Sequence, residues 1–188
     1  MGKLNIQNLL NSSLFKYNLL FISGFLSSFA LPPINLFPFI FFLSLPIFFL
    51  IKCRNWKDAF LIGFFSAFGW FVFSLYWLSN ALIVSGGFYL WATPLVFIGF
   101  PAFLSLFWGL AFFSTFLLGK SIIEKLLFLL LLLPFFEWLR GTIFSGFPWN
   151  MIGFSLNNPL EISQTISILG PFGQNILIVV LISIPISL

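Results

Sequence analysis

The chain has 188 residues, 61% hydrophobic and only 6% charged, with a mean hydropathy of +1.14. A soluble domain carries roughly 25% charged residues, so this composition cannot cover a water-facing surface and specifies an integral membrane protein. Histidine is absent and Cys53 is the one cysteine, which excludes Ser-His-Asp triads, Cys-His dyads, the usual zinc sites and an internal disulfide. Four acidic residues offer little to a hard cation, so neither a metal nor a cofactor is expected. The net charge of +4 is scattered between apolar runs, so no nucleic acid is expected as a partner.

Each spanning helix takes about 20 residues plus a connection, which allows about six. The first apolar run, Asn18–Leu31, ends at Pro32-Pro33. Its Ser28-Phe29-Ala30 has the small-x-small form of a signal-peptide cleavage site. More apolar runs follow, however, and a retained helix over about 18–31 is expected. The second run, 36–51, holds Pro38 and Pro46, which predicts a kink. Lys52-Cys53-Arg54-Asn55-Trp56-Lys57-Asp58 is the densest charge cluster in the chain. A third helix is expected over about 59–80, and Ser85-Gly86-Gly87 separates it from the fourth run, 88–118. That run would make about 46 Å of helix against a hydrocarbon core of about 30 Å. Pro94 and Pro101 are therefore expected to divide it into an interfacial approach and a spanning portion. The fifth helix is expected over 122–139, with Lys120, Glu124 and Lys125 at its start and Arg140 after it. Residues 140–171 form a polar-aromatic stretch, expected as a periplasmic loop, before a last apolar run over 172–188.

With the N-terminus in the cytoplasm, alternating connections place Lys3, Lys16, Lys52, Arg54, Lys57, Lys120 and Lys125 inside and only Arg140 outside. That is the expected bias of cations. Trp77, Trp138 and Trp149 then fall near the outer interface and Trp56 near the inner one. The expected architecture is an all-α polytopic membrane protein, a bundle of about six transmembrane helices. The final run is about 17 residues, about 25 Å of helix, with no charged anchor. A chain ending at lipid depth reads as a truncated product or a fragment.

Few residues could carry chemistry. Glu137 and Arg140 stand at i and i+3 in Phe136-Glu137-Trp138-Leu139-Arg140-Gly141. They fit a helix-terminal ion pair, with Gly141 ending the helix. They fit equally a polar head-group site at the membrane edge, where Arg140 would suit a phosphate. In Ser145-Gly146-Phe147-Pro148-Trp149-Asn150, Gly146 permits a turn, Pro148 stiffens it, and Phe147 and Trp149 form an amphipathic wedge. This is either an interfacial anchoring loop or a lipid-binding lip beside Glu137 and Arg140. Cys53 lies between Lys52 and Arg54, which would lower its pKa, although an incidental juxtamembrane thiol is the preferred reading.

The pattern as a whole resembles a family. Ala30-Leu31-Pro32-Pro33, Tyr76-Trp77 with Gly86-Gly87, and above all Glu137-Trp138-Leu139-Arg140-Gly141 followed by Gly146-Phe147-Pro148-Trp149 and Gly153-Phe154-Ser155 resemble the membrane domain of apolipoprotein N-acyltransferase. Gln164 and Gly170–Gly173 extend the likeness, which covers most of the chain. The resemblance implies an enzyme of the bacterial inner membrane. Such an enzyme takes an acyl chain from a phospholipid through a cysteine thioester and passes it to the α-amino group of a diacylglyceryl-cysteine apolipoprotein. The family's Glu, Lys and Cys belong to a C-terminal carbon-nitrogen-hydrolase-like domain that is missing here, and Cys53 lies in the wrong segment to replace them.

The resemblance therefore implies a chain with no catalytic residue of its own, inactive alone and possessed of a separately encoded hydrolase-like partner if the gene is split. Glu137, Arg140, Gly146, Phe147, Pro148 and Trp149 are its substrate- and lipid-binding candidates. From other classes, a small transporter or channel subunit would show broken helices, which Pro46, Pro94, Pro101 and Pro134 could supply, and ionisable groups at mid-membrane. No internal repeat and no mid-span ionisable residue supports it. A non-catalytic assembly protein is the third reading.

Overall fold

The computed structural model describes residues 13–157 and 160–187. Lys3, Leu188 and residues 158–159 of the expected loop lie outside them. Among the described residues the structure is helical, without a strand. Helix α1 is Ser13–Ser27, followed by 3-10 turns at Ser28–Ala30 and Phe37–Leu43. Next come α2 (Ser44–Lys52), α3 (Trp56–Ser74) and α4 (Tyr76–Ser85). A 3-10 turn at Gly87–Ala92 and a π turn at Leu95–Gly99 lead into α5 (Phe100–Leu118). Helix α6 is Ile122–Thr142. After it come a 3-10 turn at Ile152–Leu156, the short α7 (Leu160–Ser163) and α8 (Ile166–Ser187).

Three stretches are long and apolar enough to cross a membrane, Trp56–Ser74, Gly87–Leu118 and Ile166–Ile186. Helix α6 is as long, 21 residues, but carries Glu124, Lys125, Glu137 and Arg140 at its ends. The apolar runs set the helices, and local chemistry sets their ends. Asn55 begins α3 by accepting the Asp58 N–H at 2.8 Å. Ser121 and Glu124 cap the start of α6, Ser121 accepting from Glu124 N at 3.2 Å and Glu124 from Lys120 N at 2.8 Å, a variant of the capping box.

Departures from the hydropathy spans have local causes. The 59–80 run becomes two helices because Leu75 leaves helical geometry (φ −111°, ψ 8°). Pro46 stands in the first turn of α2, where a 3-10 segment gives way to α-helix. Pro101 likewise occupies the first turn of α5. The last helical run begins at Ile166, before the expected 172, and breaks at Gly170 (φ 67°, ψ 170°) ahead of Pro171.

Packing centres on α3, which lies most extensively against α5 and then against α1. Helix α5 pairs with α6, α6 with α8, and α8 with α2, which touches α1 and α3 again. Trp70, Phe71 and Trp108 lie fully inside this ring of pairings. The α1–α3 crossing is set by glycine. A Cβ on Gly24 would stand 1.8 Å from the Ser66 carbonyl oxygen, and one on Gly69 would stand 1.9 Å from that of Phe21. Small residues let membrane helices approach backbone to backbone in this way.

One end of the bundle gathers most of the cations. Lys16 at the start of α1 pairs with Asp58 at the start of α3, and the Tyr17 hydroxyl donates to the same carboxylate at 3.0 Å. Lys125, expected on the cytoplasmic side, is 8% exposed. Its Nζ donates to the carbonyls of Leu50 (3.2 Å) and Ile51 (3.1 Å), which end α2 and lack helical partners of their own. A buried ammonium is tolerated there because it meets unpaired acceptors.

Replacing Gly24 with Val should force α1 away from α3. The expected outcome is a loss of about 2 kcal/mol or more, read as a lowered midpoint of thermal unfolding in detergent. Val substituted at Ile22, an exposed position of the same helix, should lower it far less.

Candidate functional site

Helix α6 places Glu137 and Arg140 one turn apart on its inward face. Both side chains are completely enclosed, and Arg140 Nη2 donates to Glu137 Oε2 at 2.8 Å. Arg140 Nε adds a longer contact to Glu137 Oε1 at 3.3 Å. That same oxygen accepts the indole N–H of Trp108 from α5 at 2.6 Å. The guanidinium lies 5.0 Å from the centre of the Phe71 ring on α3, within cation–π range. One ion pair therefore ties α3, α5 and α6 together.

Arg140 also reaches the loop that follows its helix. Its Nη1 donates to the carbonyl oxygens of Phe147 (2.7 Å) and Trp149 (3.1 Å), while the Phe147 N–H returns to the Arg140 carbonyl at 3.1 Å. Four of the five guanidinium N–H groups are thus committed inside the protein. Glu137 and Arg140 hold the loop from beneath. The ion-pair reading describes their contacts: Arg140 stands in the last turn of α6, and the pair is buried. A buried charge without partners is costly, and the loop carbonyls are what complete this one.

The loop can follow that path because of Gly146. Its φ is +76°, and a Cβ there would stand 2.3 Å from the Gly141 carbonyl oxygen. Phe144 and Ser145 are also left-handed, with φ of 52° and 73°. Phe147 turns back against Phe100, ring centres 4.9 Å apart, while Pro148 and Trp149 face outward. The indole of Trp149 lies 6.0 Å from that of Trp77. Asn150 fixes the far end, accepting the Trp70 indole N–H on its carbonyl at 2.9 Å and donating its side-chain amide to the Ser74 carbonyl at 2.6 Å. Beyond it Met151 and Ile152 return into the bundle, and the Asn175 side chain on α8 accepts the Gly153 N–H at 2.7 Å.

Two adjoining clefts open beside this loop. One, of about 330 Å³, is bounded by the Leu31–Ile34 turn, Phe73, Ser74, Tyr76, Trp77 and Asn150. The next, of about 300 Å³, adds Trp149, Phe154 and Asn157. They share Leu31, Pro32, Trp77 and Asn150, and no charged side chain lines either. On the other side of the loop, Arg140 and Phe147 border a small cavity of about 140 Å³ among the phenylalanines of α5. Of the six sequence candidates, Trp149 lines a cleft, whereas Glu137, Arg140 and Gly146 set the loop's position. Phe147 packs inward and Pro148 stands exposed.

Sequence reasoning missed Trp70, Trp108, Asn150 and Asn175. The signal was present in part. An indole N–H or amide in an apolar helix needs an acceptor, so Trp108 and Asn175 each implied a partner without saying which. Cys53 needs correction. Burial pushes its thiol up to about 11, outweighing the opposing pull of Lys125, whereas Lys52 and Arg54 are exposed and act through water. A thiolate is disfavoured. Among the described residues no group of His, Cys, Asp or Glu is placed to hold a metal.

A helical membrane-type bundle whose buried Glu–Arg pair carries a Gly-Phe-Pro-Trp loop is the class of protein defined so far. Residues 23–184 match the family model described as the apolipoprotein N-acyltransferase N-terminal domain, and the chain belongs to the apolipoprotein N-acyltransferase family. Among the similar proteins, the apolipoprotein N-acyltransferase of Rhodopseudomonas palustris is 37% identical over 171 residues, covering 87% of this chain and 32% of the relative. That of Allorhizobium ampelinum is 36% identical over 173 residues, 87% of this chain and 33% of the relative. That of Bradyrhizobium diazoefficiens is 37% identical over 172 residues, 88% of this chain and 32% of the relative. The chain thus spans about a third of the length of the curated relatives it matches.

Two outcomes are expected. Replacing Arg140 with Gln strands the Glu137 carboxylate and two loop carbonyls, costing about 3–5 kcal/mol, and amide exchange of residues 143–151 should quicken more than that of α3. Alkylation of Cys53 should be slow at neutral pH and keep rising to about pH 11, since only the thiolate reacts. A plateau near the ordinary cysteine pKa of about 8.5 would contradict the burial argument.

Proposed function

We propose that this chain is the lipid-embedded part of an apolipoprotein N-acyltransferase and that its outer clefts receive the acyl donor and acceptor. The donor is a membrane phospholipid and the acceptor a diacylglyceryl-modified apolipoprotein. The observation that carries this reading is the loop itself. A buried Glu–Arg pair holds its backbone, and its outward Trp149 forms one wall of an uncharged aromatic cleft against Trp77 and Pro32. Such a surface suits acyl chains and the neutral glyceryl esters that join them, because it buries apolar area without desolvating a protein charge.

The proposed chemistry needs a thiolate that this chain is not expected to supply. A cysteine on a hydrolase-like domain attacks the phospholipid ester carbonyl, forms a thioester and releases a lysophospholipid. The free amine of the acceptor then attacks the thioester, forming an amide and returning the thiol. No residue here is assigned a catalytic role. The bundle orients two lipid-anchored reactants beneath the reacting cysteine. Six crossings of a bacterial inner membrane with a cytoplasmic N-terminus complete the proposal, supported by the gathering of Lys16, Lys52, Arg54, Lys57, Lys120 and Lys125 at one end and Arg140 at the other.

The chain alone should give no acyl transfer, and turnover by it would overturn the division of labour. Combined with a hydrolase-like domain bearing Glu, Lys and Cys, it should support transfer of a labelled acyl chain to a lipopeptide. Trp149→Ala should lower that rate about tenfold or more, equivalent to about 1.4 kcal/mol of lost positioning, with unchanged unfolding temperature. Equal rates for the two forms would remove the cleft from the reaction.

A further inference from the structure

At the opposite end of α3 from the clefts, the turn joining α2 to α3 carries Lys52, Arg54 and Lys57 within six residues, all exposed. Ordinarily the adjacent Asp58 would neutralise one of them. Here it is occupied: Lys16 pairs with its carboxylate and the Tyr17 hydroxyl donates to the same oxygen. Among the described residues, none of the three turn cations is in an ion pair.

The turn is also fixed from both sides. Lys125 holds the Leu50 and Ile51 carbonyls that precede it, and the Cys53 thiol donates to the Leu50 carbonyl at 3.1 Å. On the far side Asn55 caps α3 through the Asp58 N–H. Two of the cations rest on aromatic rings, Lys52 at 3.9 Å from the Phe48 ring centre and Lys57 at 5.4 Å from that of Trp56. Their long side chains are thereby held where they lie. Trp56 is half exposed beside them, between charge and apolar helix, the position an indole takes at a bilayer surface.

We propose that this turn is a docking site for the head group of an anionic phospholipid, whose phosphate is held by Lys52, Arg54 and Lys57. Charge complementarity and the flanking apolar helices select the occupant. An anion carried on acyl chains satisfies the three cations while its tails cover the exposed rings of Phe48 and Trp56, which a soluble anion cannot do. The site lies a helix length from the loop and does not rest on the acyltransferase reading, so either proposal can fail without the other.

The test is native mass spectrometry of the full chain in detergent, with phosphatidylglycerol and phosphatidylcholine of matched acyl chains. The wild type should retain phosphatidylglycerol roughly a hundredfold more strongly, and the preference should shrink as salt is raised. Retention should fall roughly fivefold for each cation removed, so K52Q/R54Q/K57Q should show no preference, whereas K120Q, in the α5–α6 connection, should keep it. R54Q alone should give a partial loss if the triple variant does not fold. Equal retention of the two lipids by the wild type, or an undiminished preference in R54Q or the triple variant, would overturn the proposal. So would displacement of the lipid by inorganic phosphate at equal concentration, which would mark a site for soluble anions.

Discussion

A guanidinium enclosed between apolar helices must have acceptors for its N–H groups, and in this protein half of those acceptors are loop carbonyls. Arg140 gives two hydrogen bonds to Glu137 and two to the backbone of Phe147 and Trp149. The bundle therefore cannot satisfy its own buried charge without the loop, and the loop has no other cation to meet it. Desolvation makes the arrangement strict. In water each bond would be replaceable, whereas inside the bundle each missing partner costs far more. Trp108 on α5 and Phe71 on α3 complete the surroundings of the pair, so the helices that carry the pair also fix its geometry.

From this follows a division between the two ends of the molecule. At one end Lys125 faces inward onto the last carbonyls of α2, Arg140's counterpart in role but not in partners, while Lys52, Arg54 and Lys57 stand exposed. At the other, the loop presents aromatic side chains outward over uncharged clefts. The intervening 59–119 stretch has no charged residue. It holds the two polar ends apart by apolar packing, tightened where Gly24 and Gly69 let backbones meet.

Much of this was legible from the amino acids. The apolar runs located the helical columns, and Glu137 with Arg140 were adjacent on any helical wheel. The Gly146–Trp149 motif marked a turn because only glycine tolerates that backbone and that proximity at low cost. What periodicity could not supply was direction. Helices this apolar all round carry no moment to say which face looks inward, so charge gave Lys125 and Arg140 a side of the membrane but no facing, and the structure turns both in. Cys53 failed for a related reason. Its chain neighbours are cations, but its surroundings in space are helix ends, and burial decides its titration.

The loop is gripped almost wholly through its main chain. Arg140 takes the carbonyls of residues 147 and 149, Trp70 takes that of residue 150, and Arg140's own carbonyl takes the amide of residue 147. Main-chain groups are common to every amino acid, so the outward positions 148 and 149 contribute little to holding the loop where it is. A lineage could redraw the outward face, one side chain at a time, without moving the loop. The rigid element and the variable element occupy the same few residues, separated only by which side of the backbone they use.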